Sequence, residues 1–270
     1  MTTKAVILAR GLGTRMRRAD AGAALSPEQA AVADAGVKGM IDVGRPFLDY
    51  ALSALADAGY QEACLVIGPE HDLVRRRYGR DVRPERIAVR FAEQARPLGT
   101  ADAVLAAEAF AAAEPFVVVN SDNYYPVETL ARLRAARPPA LVGFDAEALV
   151  RDGNVSPDRI AKFALLEVDS AGELRRISEK PDAAALAALG PHRPVSMTCW
   201  LFGPEIFEAC RGIAPSARGE LELPDAVQWL IDRRGARFTV LPMRAPVLDL
   251  SSRADVAEVA RRLAGVEPRP

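Results

Sequence analysis

Several things are scarce in this 270-residue chain, and each scarcity removes a class of function. Cysteine occurs three times, at Cys64, Cys199 and Cys210, with no CxxC pair. An odd, scattered set of this kind argues against a disulfide framework, a zinc site and a redox couple, and suits a reducing compartment. Histidine occurs twice, at His71 and His192, neither in a nucleophile motif. A Ser-His-Asp or Cys-His hydrolase is therefore disfavoured, and both histidines read as surface residues. Charge of one sign is not in excess: 35 Lys and Arg stand against 36 Asp and Glu, a formal net charge of −1. The chain as a whole has no pull on nucleic acid or an anionic membrane, so any polyanion site must be local. Long apolar runs are missing as well. The first residues, MTTKAVILAR, fall short of the roughly 7–15 apolar residues of a secretory leader, and nothing approaches the roughly 18 needed to span a bilayer. The expectation is a cytoplasmic protein. Only Lys4, Lys38, Lys162 and Lys180 are lysines, which draws attention to each, because a compact ammonium and a guanidinium bind phosphate differently.

What remains is half hydrophobic and about a quarter charged, the composition of a globular protein. Short apolar runs alternate with longer amphipathic stretches, the pattern of βα units around a mainly parallel sheet. Strands are expected over 5–9, 63–68, 87–92 and 116–120, with sheet-covering helices over 46–58 and 99–112. Past residue 138 strands dominate, over 140–144, 163–168, 174–177, 195–202 and 238–241, with a hairpin turn at 169–172. Helices follow over 224–233 and 251–263, the last capped by serine. No repeat or long linker is visible, so one domain spans 1–270, with a nucleotide-binding half to about 138 and an acceptor-binding half from about 139. The stretch 18–37, with a Ser26-Pro27-Glu28 helix start, reads equally as a lid or as a solvated excursion.

The first strand runs into Leu8-Ala9-Arg10-Gly11-Leu12-Gly13-Thr14-Arg15-Met16. Glycines in such a turn let backbone N–H groups approach phosphates, and an arginine can clamp them. The segment lacks the third glycine of the dinucleotide fingerprint and the Gly-Lys-Ser/Thr of a P-loop. It resembles instead the L-A-(G/A)-G-x-G-T-R-(M/L) opening of the sugar-phosphate nucleotidylyltransferases, matching every specified position except Arg10. Further resemblances follow in that family's order. Lys38-Gly39-Met40-Ile41-Asp42-Val43 fits its lysine segment, after a longer spacer than usual. Gln94 to Gly99-Thr100 fits the base-reading Q-x4-G, Asn120-Ser121-Asp122-Asn123 the metal-binding aspartate, and Glu179-Lys180-Pro181 the E-K-P segment. Arg218-Gly219-Glu220-Leu221-Glu222-Leu223-Pro224-Asp225 resembles the R-G-E-L-E-I-T-D of glucose-1-phosphate thymidylyltransferases, and Leu248-Asp249-Leu250 the W-x-D segment.

The resemblance implies a Rossmann-like three-layer α/β/α nucleotidyltransferase fold, with a mixed, mainly parallel sheet. It also implies an Mg²⁺-dependent transfer of a nucleotidyl group from an NTP to a sugar 1-phosphate, releasing pyrophosphate. Leu8, Ala9, Arg10, Gly11, Gly13, Thr14, Arg15, Lys38, Gln94, Gly99, Thr100 and Asp122 would bind the nucleotide. Asp122 and Asp249 would hold Mg²⁺, and Asn123, Gly143, Ala164, Glu179, Lys180, Thr198 and Arg218 would take the acceptor. Arg15, Lys38, Asp122, Lys180 and Asp249 would carry the reaction. The residues taken alone leave plainer readings open: Asp122 and Asp249 as turn or cap residues, Arg218 as a solvated arginine and Glu179-Lys180 as a surface pair.

Two departures bear on the acceptor. Ala164 and Cys199 stand where relatives carry glycine, and if both face the ligand the pocket is narrower and more apolar than a hexose site. Gln94 favours UTP or dTTP, while Arg10 keeps CTP open, with a small phosphate or phosphonate as a further acceptor. A non-catalytic nucleotide-sugar sensor of the same fold is the alternative, a dinucleotide-dependent oxidoreductase the outsider. No nucleic-acid or membrane partner is implied, and a homo-oligomer is left open.

Overall fold

The computed structural model describes residues 1–178 and 194–270. Its strands are β1 (Lys4–Leu8), β2 (Glu62–Ile67), β3 (Ala88–Glu93), β4 (Phe116–Asn120), β5 (Asn123–Tyr124), β6 (Ala140–Asp145), β7 (Ala164–Val168), β8 (Leu174–Ser178), β9 (Pro194–Ser196), β10 (Cys199–Phe202), β11 (Thr239–Met243) and β12 (Leu248–Asp249). Ten of them form one sheet in the order β3-β2-β1-β4-β10-β6-β9-β7-β8, with β11 beside β6, while β5 and β12 pair separately. The first four are parallel, β10 and β9 run antiparallel to β6, and β11 is parallel to it. The sheet is thus mixed and crosses both halves of the chain.

Alternation along the central strands explains the layering. Ala5 and Ile7 of β1 and Val117 and Val119 of β4 face one core; Val6, Leu8, Phe116 and Val118 face the other. Strands buried on both faces read as continuous apolar runs, as here. The helices Phe47–Asp57 and Val127–Ala135 cover the first face. The helices Thr100–Ala106, Glu205–Gly212 and Leu223–Arg234 cover the second, where Phe116 stacks on Phe207 at 5.4 Å. Because β1 and β4 are parallel with Leu8 opposite Asn120, their carboxyl ends deliver residues 8–15 and 120–123 to the same edge, the usual ligand edge of an open α/β sheet.

Four local expectations change. The run 195–202 is two strands broken at Thr198, whose φ is +54°. The buried Tyr125 hydroxyl donates to the Met197 carbonyl (2.6 Å) and lies 3.1 Å from that of Thr198, holding the break. The expected helix over 99–112 divides into Thr100–Ala106 and Glu108–Ala111 at Ala107. The last helix begins at Asp255 rather than Ser251, because the Asp255 carboxylate takes the Ser251 and Ser252 N–H groups. His71 is buried, not superficial; its Nδ1 accepts the Gly68 N–H (3.2 Å), and burial pushes its pKa down.

The 18–37 stretch is neither loose nor solvated throughout. Its helix Pro27–Ala35 opens with a reciprocal Ser26–Gln29 capping box, and Ala33 is fully buried in a third cluster with Met16, Phe47, Leu250, Val256 and Val259. Arg253 ties it down by donating to the Met16 carbonyl (2.9 Å) and pairing with Asp34. Gly36 closes onto the first glycine turn so tightly that a Cβ on Gly13 would lie 2.4 Å from the Gly36 carbonyl oxygen. Ala33→Glu is expected to bury an unpaired carboxylate and cost about 2–4 kcal/mol. Limited proteolysis checks this: cleavage within residues 18–37 should appear while the rest of the chain stays resistant.

Candidate active site

Residues 8–15 leave β1 as a turn that needs glycine twice for different reasons. At Gly13 the backbone is left-handed (φ +61°) and abuts Gly36, whereas a Cβ at Gly11 would meet nothing within 4 Å, so that backbone lies open to the cavity it lines. This cavity, about 380 Å³, also takes in Leu8, Ala9, Arg10, Thr14 and Arg15, together with Lys38, Gln94, Gly99, Thr100 and Asp122. All the residues assigned to the nucleotide from the sequence therefore surround one space. Arg15 stands exposed at its edge.

Gly99 adopts φ +120° because another backbone crosses it: a Cβ there would sit 2.3 Å from the Leu221 carbonyl. Ala101 N–H donates to that same carbonyl (2.9 Å), Leu221 N–H donates to Leu98 (2.7 Å) and Leu223 N–H donates to Thr100 Oγ1 (2.8 Å). The Q-x4-G turn and the R-G-E-L-E segment, far apart in the chain, are thereby stitched into one wall. The Gln94 amide is oriented by the same wall, since its NH₂ donates to the Gly99 carbonyl (3.0 Å) and to Asp102 Oδ2 (2.7 Å), both acceptors only.

At the β4 end, Lys38 Nζ lies 2.7 Å from Asp122 Oδ2, both largely shielded from solvent. The antiparallel pairing of β5 with β12, with Leu250 N–H donating to the Asp122 carbonyl (2.8 Å), brings Asp249 alongside. Asp249 is 3% exposed and lies outside both cavity linings. Its carboxylate accepts from Asn123 Nδ2 (3.2 Å) and Ser251 Oγ (3.0 Å) and pairs with Arg159 of the short helix Pro157–Ile160. Burial, and then the charge of Asp122, raise its pKa to about 6. Two carboxylates pressed together in this way form a site that favours a cation. Among the described residues no group of three or more His, Cys, Asp or Glu could hold a metal, so a cation at this edge would rest on the Asp122 and Asp249 carboxylates. That is the donor set Mg²⁺ accepts when substrate phosphates and water complete its shell.

A second cavity of about 150 Å³ adjoins the first through Thr100 and Asn120. Asn123, Ala164 and Thr198 line it, with Lys162, Met197 and Trp200. The departures separate here. Ala164 faces this space, but Cys199 packs in the core, where burial raises its thiol pKa, so only one of the two narrows the pocket. Gly143 faces neither cavity; it is wedged between Pro194 and Val240, whose side-chain atoms would both lie 2.8 Å from an added Cβ. Packing therefore accounts for this glycine, correcting its assignment to the acceptor. Arg218 pairs with Glu222 (3.1 Å from Nε to Oε1) and lies outside both linings. Glu179 and Lys180 fall outside the described residues.

The sequence reading missed Arg159, Asn154 (which exchanges hydrogen bonds with the Asp249 backbone), Glu220, Gly36 and Lys162. Glu220 sat within a recognised segment and Lys162 among the scarce lysines; Arg159 and Asn154 carried no local signal.

The comparisons with known proteins agree with this geometry. The family model described as nucleotidyl transferase matches residues 4–243. A glucose-1-phosphate thymidylyltransferase of Streptomyces antibioticus is 34% identical across 98% of this chain and 68% of its own length. A UTP–glucose-1-phosphate uridylyltransferase of Haloferax volcanii is 28% identical across 96% of both. A UDP-glucose pyrophosphorylase crystal structure with UDP-glucose superposes with a TM-score of 0.73 at 17% identity, covering 99% of this chain and all of that one. The chain belongs to the nucleotidyl transferase family, and its fold is that family's α/β architecture. It is thus an enzyme of the nucleotidyltransferase class, allied by sequence to those that act on sugar 1-phosphates.

Gly143→Ala is expected to cost about 1–3 kcal/mol through overpacking. A urea titration should show the lower midpoint, and the KM for the acceptor should stay where it was.

Proposed function

We propose that the protein transfers a nucleoside monophosphate from an NTP to a sugar 1-phosphate or related phosphorylated acceptor, forming an NDP-sugar and pyrophosphate in an Mg²⁺-dependent reaction. The observation that carries this reading is the meeting of two cavities at Thr100 and Asn120, with the Lys38–Asp122 pair beside the junction. The larger space holds the triphosphate on the open backbone of Gly11 with Arg15 and Lys38; the smaller takes the acceptor's organic part against Ala164, Thr198 and Asn123. An acceptor phosphate oxygen then attacks the α-phosphorus, the bond to the β-phosphate breaks, and pyrophosphate carries away the electron pair. The attacking phosphate is already ionised near neutral pH, so the protein supplies no general base; its work is alignment and neutralisation of two anions. Asp122 and Asp249 would hold Mg²⁺, which would supply positive charge to the phosphate oxygens. UTP or dTTP is the preferred donor, in keeping with the names of the relatives, with CTP next. Among the described residues no helix is long and apolar enough to cross a membrane, and the water-soluble substrates of this reaction suit a cytoplasmic enzyme.

Pyrophosphate release from UTP, dTTP, CTP, GTP and ATP against a panel of sugar 1-phosphates and small phosphonates tests the reaction. Asp122→Asn should lower the rate roughly 10²–10³-fold, the scale of losing one electrostatic stabiliser, with the melting curve retained, and EDTA should silence the wild type until Mg²⁺ is restored. An Asp122→Asn protein that is folded and fully active overturns the role given to Asp122. Tight nucleotide binding with no turnover on any acceptor overturns the enzymatic reading in favour of a sensor.

A further inference from the structure

Arg10 is the one residue of the opening turn that departs from the family pattern, and its surroundings are unusual. The side chain is 6% exposed, yet only one guanidinium nitrogen is used: Nη2 contacts Glu70 Oε2 at 3.1 Å and the Ala95 carbonyl at 3.4 Å. Nε and Nη1 are buried without any hydrogen-bond partner. Native proteins seldom leave donors of a charged group unpaired, because desolvation is then uncompensated. The guanidinium lies against Gly68, where a Cβ would come within 2.4 Å of Nε, and Glu70 is half exposed. The pair therefore hangs from a solvated partner, and the unpaired N–H groups belong to a side chain that lines the cavity.

The position of this group within the cavity selects what it meets. The reacting phosphate must lie near Asn120, where the acceptor cavity opens. Arg10 reaches the other way, over the loops that follow β2 and β3, beside Gln94. An extended nucleotide with its phosphates at Lys38 and Asp122 puts its base at that end. There Gln94 has already donated both N–H groups to Gly99 and Asp102 and retains only Oε1, an acceptor. The wall at that end thus combines one acceptor, from Gln94, with donors from Arg10.

We propose that Arg10 is a specificity-determining residue that donates hydrogen bonds to a carbonyl oxygen of the nucleotide's base while Gln94 accepts from the neighbouring base N–H, so that the site selects keto pyrimidines, uracil or thymine, over adenine. This rests on the nucleotidyltransferase reading of the cavity and adds to it the residue that reads the base. Adenine reverses the pattern, with its acceptor at the ring nitrogen N1 and its donor on the exocyclic amine, so the Arg10 donors and the Gln94 acceptor are not both met in the pose that suits a keto pyrimidine.

Direct binding by calorimetry, without acceptor, tests it with three probes: UTP, ATP and inorganic tripolyphosphate. Arg10→Ala should weaken UTP about ten- to hundredfold, the worth of hydrogen bonds from a charged donor, and leave tripolyphosphate and ATP unchanged. Arg10→Gln, a neutral donor, should recover part of the UTP affinity. Since Arg10→Ala removes unpaired buried donors, its melting temperature should not fall; should it fall, Arg10→Gln carries the comparison. A parallel loss of UTP and tripolyphosphate affinity in both variants would make Arg10 a phosphate ligand and overturn the proposal. Wild-type protein that binds tripolyphosphate but prefers no nucleotide also overturns it while sparing the phosphate site, whereas binding of none of the three overturns the nucleotidyltransferase reading as well.

Discussion

Four charges packed at the carboxyl edge of the sheet set the terms for the rest of the molecule. Asp249 is almost fully buried, and Asp122 lies close enough to raise its pKa. Two carboxylates desolvated side by side are costly unless cations and hydrogen bonds accompany them. Lys38 answers Asp122, and Arg159, Ser251 and Asn123 answer Asp249. These residues come from separate stretches of chain: the end of the 18–37 stretch, the end of β4, the β5 and β12 pair, and the helix Pro157–Ile160. Satisfying the carboxylates therefore reinforces the strand pairing and apolar packing that join several of these segments.

The same economy appears at the wall between the two cavities. Gly99 and Leu221 approach so closely that no side chain fits between them, and two backbone hydrogen bonds and one to the Thr100 hydroxyl hold the contact. One consequence is that Gln94 is fixed as an acceptor, its donors spent within the protein. Another is that Thr100 touches both cavities. A change in either segment is transmitted to both cavities together, because the two share one piece of rigid backbone.

The 18–37 stretch shows how a departure from a family pattern can become structural. It buries Ala33, ties to Arg253 and brings Gly36 against Gly13. Lys38 follows directly, so the stretch sets where that ammonium sits. A lysine at the end of a loose excursion would lose side-chain and backbone entropy on each binding event; here that ordering is complete before the ligand arrives.

Much of this was legible in the chain itself. Continuous apolar runs disclosed the doubly buried strands, since a strand covered on both faces has no polar side to show. The glycines at 11, 13 and 99 and the order of the charged motifs disclosed residues that line the larger cavity, because these features act through local backbone and close spacing. What periodicity and motif could not carry was the facing and pairing of particular side chains. Gly143 belongs to packing and Cys199 to the core; Asp249 is shut away with Arg159, and Arg10 is left with unused donors. Each of those outcomes depends on a residue distant in sequence arriving at within a few ångströms, and only strand order, register and the desolvation of charge in the folded chain decide that.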